Sequence, residues 1–287
     1  MNDAFHAHLQ SGTTTLCRLW SLVRRDGQVL GFTDHDRDLT VGGQVFRAGS
    51  GLTASALEQS SGLSVDNSEA VGALSDAAIN EADLAAGRFD GAELRIWLAN
   101  WAAPAERREI FRGTLGEVIR RGGGFRAELR GLAEALNQET GLAYTRNCGA
   151  VLGDGRCRFD TTRPGYAIEI EADEIDAEGR IFGFAALPGF DPNWFDGGRF
   201  EVLGGAGAGL VAMIKGDRMV GAGRRVELWQ AIRAGVRPGD MLRLVAGCDK
   251  LPGTCRAKFG NFENFRGFPH LPGDDWLTSY PRGSDGG

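Results

Sequence analysis

The chain has 287 residues, of which 42% are hydrophobic and 24% charged; its formal net charge is −6 and it holds 44 glycines. That length suffices for one large or two modest domains with buried cores, and the acidic balance excludes a strongly basic nucleic-acid surface. Glycine at about twice its ordinary share of roughly 7%, with no three-residue period, excludes collagen and fits many short strands joined by tight turns.

The first strand is read in TLCRLWSLV, where Leu16, Arg18, Trp20 and Leu22 interleave with Cys17, Leu19, Ser21 and Val23. Asp26-Gly27 and then Gly42-Gly43 are hairpin signals, because such pairs accept the positive φ that tight β-turns need. The segment LTASALEQSSGLSVDNSEAVGALS reads as extended with turns, and Ile79 to Arg88 as a short helix with acids in its early turns. GAELRIWLANW alternates as a strand, and REIFRGTLGEVIRRGGGFRAELRGL gives two strands around Gly122–Gly124. GLAEALNQET reads as helical.

Beyond a first cysteine pair, YAIEIEADEID and GRIFGFAAL read as strands. GRFEVLGGAGAGLVAMIKGDRMVGAGRRVELW supplies three more, with turns at Gly204–Gly209, Gly216-Asp217 and Gly221–Gly223, and VRPGDMLRLVAGC adds another. The expected fold class is mostly β: antiparallel barrel or sandwich domains with a few short helices. The expected organisation is a β-rich domain at 1–140, cysteine loops at 141–160 and 245–280, a small inserted β domain at 161–244, and a tail at 281–287. No basic stretch leads into an apolar run at the N-terminus, and no segment reaches the roughly 20 apolar residues that span a bilayer. The expectation is a reducing cytosol, where structural disulfides are disfavoured, and no membrane anchor.

Four of the five cysteines form two pairs, Cys148 with Cys157 and Cys248 with Cys255, separated by eight and six residues. Both loops contain Gly, and both second cysteines are followed by an Arg and then a Phe, Phe159 or Phe259. Four thiolates converging from two loops suit Zn²⁺ or an iron–sulfur cluster. Zinc knuckles favour gaps of two to four residues, so these wider loops lean toward a cluster. Arg146, Arg156, Arg158, Lys250, Arg256 and Lys258 would offset the negative charge and lower the thiol pKa values. The competing readings are buried free thiols and, outside a cell, two disulfides. Cys17, on an alternating strand, reads as a core residue.

The C-x8-C and C-x6-C spacing, with KFGNFENFRGFPHLPGDD after it, resembles the tail-tip hub proteins of lambda-type long-tailed phages. GFTDHDRDL, SSGLSVDN, FDGAELRIWLANW and FRGTLGEV are similar to the version in phage-like gene transfer agents and related prophages of alphaproteobacteria. The resemblance covers nearly the whole chain. It implies a non-enzymatic particle protein, assembled in the bacterial cytoplasm and then part of the virion tail. It implies β domains related to tail-tube barrels and a homotrimer that closes the tube and joins the distal tail ring to a central fibre or spike. A tail-associated peptidase and the tape-measure protein are further implied neighbours, with DNA only in transit. It further implies a [4Fe-4S] cluster on Cys148, Cys157, Cys248 and Cys255.

Other constellations compete less well. Asp34, His35, Asp36 and Asp38 resemble a carboxylate–imidazole site, but a polar turn whose Asp side chains accept nearby N–H groups is the simpler reading. His6, His8, His35 and His270 make a Cys–His peptidase arithmetically possible, yet paired cysteines favour ligation. A cytosolic iron–sulfur or zinc enzyme is the other alternative. GGAGAGL lacks the Lys-Ser/Thr ending of a phosphate loop. Phe259, Phe262, Phe265 and Phe268, spaced by three, could form a helical core stripe, but Gly260, Gly267 and Pro269 interrupt it and a loop wrapped over the cysteines is expected; Trp194, Phe195 and Trp276 either join that cover or form subunit contacts.

Overall fold

A computed structural model of the chain describes residues 3–49, 53–54, 67–73, 81–121, 124–131 and 141–272. The readings of 132–140 as helical, of Trp276 as part of an aromatic cover, and of 281–287 as a tail lie outside the described residues. The chain divides into two compact units, Met1–Glu139 and Thr140–Gly287. Both are mostly antiparallel β, as the sequence predicts.

The first unit opens with helix α1 (Asp3–Gln10), whose Phe5 is buried. Its sheet strands are β1 (Leu16–Val23), β2 (Val29–Thr33), β5 (Thr53–Ala54), β6 (Asn67–Ala73), β7 (Glu93–Asn100), β8 (Arg107–Arg121) and β9 (Gly124–Gly131). They are hydrogen-bonded in the order β2-β1-β7-β8-β9-β6-β5. Alternation sends Trp20, Leu22, Leu94, Ile96, Phe111, Leu115 and Leu129 to one face, where Phe32 and Phe89 complete a core. Cys17 and Leu19 face the other way, against Ala99 and a hairpin of β3 (Leu39–Val41) and β4 (Gln44–Phe46) that contributes Val41 and Phe46. The hairpin crosses β2 at Gly31, where any Cβ would collide with the Val45 carbonyl. Cys17 is thus a core residue, and burial pushes its thiol pKa up. Of the expected helix at 79–88, α2 (Glu81–Ala85) is the described helical part.

The DHDRD segment is the polar turn that its composition predicts. Asp34 accepts the Arg18 backbone N–H at 2.6 Å and Asp38 accepts that of Ala48 at 2.8 Å. His35 lies 5.2 Å from the Trp101 ring.

The second unit carries β10 (Ala167–Glu171), β11 (Glu174–Ile175), β12 (Ile181–Phe184), β13 (Arg199–Val202), β14 (Val211–Val220), β15 (Gly223–Leu228) and β16 (Met241–Val245). The order is β10-β16-β13-β14-β15-β12-β11. Strand β14 pairs with β13 through Val211–Met213 and with β15 from Ile214 onward, with a register shift between Ile214 and Gly216. One strand therefore serves two halves of a sandwich-like layer, the bend sitting at the bulge. Phe182, Phe195, Phe200, Val202, Ile214, Val226, Leu228, Leu242 and Leu244 fill the core between them.

Gly216-Asp217 is not the turn expected from sequence. It lies inside β14, and Asp217 is fully buried against Arg224. The guanidinium donates to both carboxylate oxygens, at 2.9 and 2.7 Å, and to the Phe190 and Asp191 carbonyls. The ion pair outweighs the turn preference because an isolated buried charge costs far more than an irregular strand. Phe195 also departs from expectation, because it packs inside this core.

Candidate metal centre

Both cysteine pairs belong to the second unit. Cys148 and Cys157 lie in irregular chain before β10. There Asp154 accepts the backbone N–H groups of Cys157, Arg156 and Val151 at 2.6, 2.9 and 2.9 Å. Those bonds hold its carboxyl below the usual carboxylate range. Cys248 follows β16, and Cys255 sits on a single-turn helix, α3 (Pro252–Ala257), where sequence predicts only loop. Pro252 in its first turn costs no hydrogen bond there and presets φ. The two segments are laced together by backbone hydrogen bonds. The Cys148 N–H donates to the Lys250 carbonyl at 2.9 Å, Gly149 to Arg266 at 3.2 Å, and Phe268 to Thr145 at 2.8 Å. Gly267 permits this approach, because a Cβ there would stand 2.7 Å from the Arg146 and Asn147 backbone.

All four sulfurs line one cavity, with about 330 Å³ of space free of protein atoms, part of it open to solvent. Leu152, Leu251, Phe259 and Phe265 supply apolar wall, and Lys250, Asn261 and Asn264 the polar remainder. Burial pushes the Cys255 thiol pKa up first, and the charges of Cys248, Cys148 and Cys157 push it further. Two N–H groups reach sulfur. The Arg266 backbone donates to Cys148 at 3.3 Å, and Asn261 Nδ2 to Cys157 at 3.5 Å. Among the described residues no three Cys, His, Asp or Glu side chains are arranged to hold a single metal ion.

Burial is the largest influence on Cys248 and Cys255 and raises both thiol pKa values; the expected lowering by a flanking cation is present at Cys248, from Lys250, but is outweighed. The lysines also bond to backbone carbonyls: Lys258 Nζ donates to those of Trp194 and Gly247 at 2.6 and 2.9 Å, and Lys250 Nζ to that of Ala150 at 2.7 Å. Arg146 donates to Leu271 and Arg158 to Gly155, Arg156 is within 3.5 Å of the Gly149 carbonyl, and Arg256 lies over the Phe262 ring.

The expected aromatic cover is divided. Phe259 joins Phe159 and Tyr166 in a buried cluster, with ring centroids 5.0 Å apart for the two phenylalanines. Phe265 lines the cavity and stacks on Phe262 at 5.5 Å. Phe268 is exposed and packs on Tyr144. Trp194 bridges the cysteine region and the β core. Sequence reasoning missed Asn261 and Asn264, although both stand in the quoted NFENF run.

The chain is thus built of two antiparallel β units, and the second lines one cavity with four cysteines. The family model for the baseplate hub protein, N-terminal attachment domain, matches residues 2–160, and the chain belongs to that family. A second family model, phage conserved hypothetical protein BR0599, matches residues 193–275. Each match contains one cysteine pair. Over 99% of both chains, the protein is 56% identical to a chain in the solved structure titled "Virion of native gene transfer agent (GTA) particle", with a TM-score of 0.90. No curated protein matches. Among the described residues no helix is long and apolar enough to cross a membrane.

Proposed function

We propose that the chain is a structural, non-enzymatic hub of a phage-like tail, and that Cys148, Cys157, Cys248 and Cys255 hold a [4Fe-4S] cluster. In this reading it assembles as a homotrimer, closes the tail tube and links the distal tail ring to the central fibre or spike. The hub assignment rests on the likeness, over nearly the whole length, to a chain of a gene transfer agent virion.

The observation that carries the cluster is one cavity lined by four cysteines, with N–H groups directed at two of the sulfurs. Thiolate donors with N–H···S support are the ligand chemistry of iron–sulfur centres. The gaps of eight and six residues within the pairs, wider than those of zinc knuckles, favour a polynuclear centre over a lone zinc ion. When bound, such a cluster supplies a rigid four-point link and an electron-accepting centre. The chain itself supplies deprotonated sulfur, which burial makes costly without a cation. It also supplies the apolar wall of Leu152, Leu251, Phe259 and Phe265 that limits access of water.

Anaerobic purification tests this directly. The expected result is iron and sulfide in equal amount, about four each per chain, with a visible charge-transfer band. Stoichiometric zinc without iron would reject the cluster. Particles assembled without the protein are expected to lack a tail tip, and complete, closed tails in that background would reject the hub role.

A further inference from the structure

Asn261 makes contact with both cysteine segments. Its backbone N–H donates to the Cys255 carbonyl at 3.1 Å, and its side chain Nδ2 to the Cys157 carbonyl at 2.7 Å. The same Nδ2 lies 3.5 Å from Cys157 Sγ. Which end of the carboxamide faces the sulfur is fixed by Asn264, whose Nδ2 donates to Asn261 Oδ1 at 2.8 Å. Gly260, at φ +57°, makes the turn that delivers Asn261 to this position. The other donor to sulfur, on Arg266, is a backbone group. Among the described residues Asn261 is the one side chain whose N–H is directed at a cysteine sulfur.

We propose that Asn261, oriented by Asn264, is a positioning residue that withdraws electron density from Cys157 Sγ and raises the reduction potential of the bound iron–sulfur cluster. This rests on the cluster assignment above. The physical ground is that an N–H···S bond stabilises negative charge on sulfur, and the reduced cluster carries one more negative charge than the oxidised one. Because Asn261 grips the first segment through its side chain and the second through its backbone, it also fixes the distance over which the ligands can spread.

The test uses the full chain purified anaerobically, with iron and sulfide measured first on the unaltered protein. Absence of iron and sulfide there rejects the cluster reading and this inference together. With the cluster present, Asn261→Asp is expected to shift the midpoint potential to more negative values. It is also expected to raise the frequency of an Fe–S(Cys) stretch in resonance Raman spectra. Loss of the visible band in air should be several-fold faster. A loaded Asn261→Asp protein with unchanged potential and unchanged spectrum overturns the inference while leaving the cluster reading standing. If Asn261→Asp fails to fold or load, Asn264→Leu decides. It leaves Asn261 in place but frees its carboxamide to flip, so a smaller shift of the same sign is expected, and an unshifted potential overturns the proposal.

Discussion

Among the described residues each β unit buries one arginine, and the two are used differently. Arg24 in the first unit pairs with Asp26 and Asp83, carboxylates 37% and 24% exposed, at the margin of the sheet. Arg224 in the second pairs with Asp217, which has no exposure at all, and also donates to the Phe190 and Asp191 carbonyls. Water can solvate the first network when a partner is lost; it cannot reach the second. The loop that Arg224 organises continues to Trp194, whose carbonyl receives both Lys258 Nζ and the Gly247 N–H. The second unit thus has its deepest charge wired to the neighbourhood of its thiols, whereas the first unit keeps its charges as a surface clasp.

The largest effect that would sharpen this contrast is expected from Cys255→Ser. On the proposed cluster assignment, loss of one of its four ligands should abolish loading of the intact cluster, and hydrogen exchange should rise across 145–160 and 248–268 while β1, β7 and β8 keep their protection. Next, Asp217→Leu strands Arg224 and is expected to cost about 3–5 kcal/mol in urea unfolding, most of it recovered in the Asp217→Leu/Arg224→Leu double variant. Gly267→Ala should cost about 1–3 kcal/mol, because the new Cβ meets backbone that cannot swing aside. It should also weaken the Arg266 N–H contact to Cys148. The smallest effect is expected from Asp26→Asn, about 1 kcal/mol or less, given its exposure. Arg24 holds the Asp26 carboxyl below its ordinary pKa of 3.8. A depressed folded pKa means that this contribution is fully present above the unfolded value and fades as pH falls from about 3.8 through the lower folded value. The stability difference between wild type and Asp26→Asn should therefore vanish in acid. Equal losses from Asp217→Leu and Asp26→Asn would break the comparison.

What was legible in the sequence was local or compositional. The alternation in β1 and β7, the hairpin pairs Asp26-Gly27 and Gly42-Gly43, and the strands of the second unit follow from period and turn chemistry. The four cysteines stood out because their pairing in sequence is itself a pattern. What was not legible depended on partners far along the chain. Gly216-Asp217 reads as a turn until Arg224 is placed beside it. The basic residues near the thiols read as charge compensation, and the burial that outweighs it at Cys248 and Cys255 depends on residues brought in from far along the chain. Helix α3 is too short to leave a period, and its one available signal was Pro252. Asn261 was hidden because the phenylalanines of NFENF drew attention to packing, while the sulfur that the amide meets is 104 residues earlier.

The lacing of 145–149 to 250–268 has a mechanical meaning. Tension applied at residue 145 and residue 268 would be borne by the Thr145–Phe268, Cys148–Lys250 and Gly149–Arg266 backbone bonds and by whatever joins the sulfurs. The strands between 167 and 245 branch off that path, and Lys258, whose Nζ is bonded to the Trp194 and Gly247 carbonyls, is the point where a change in their shape would be felt at the lacing.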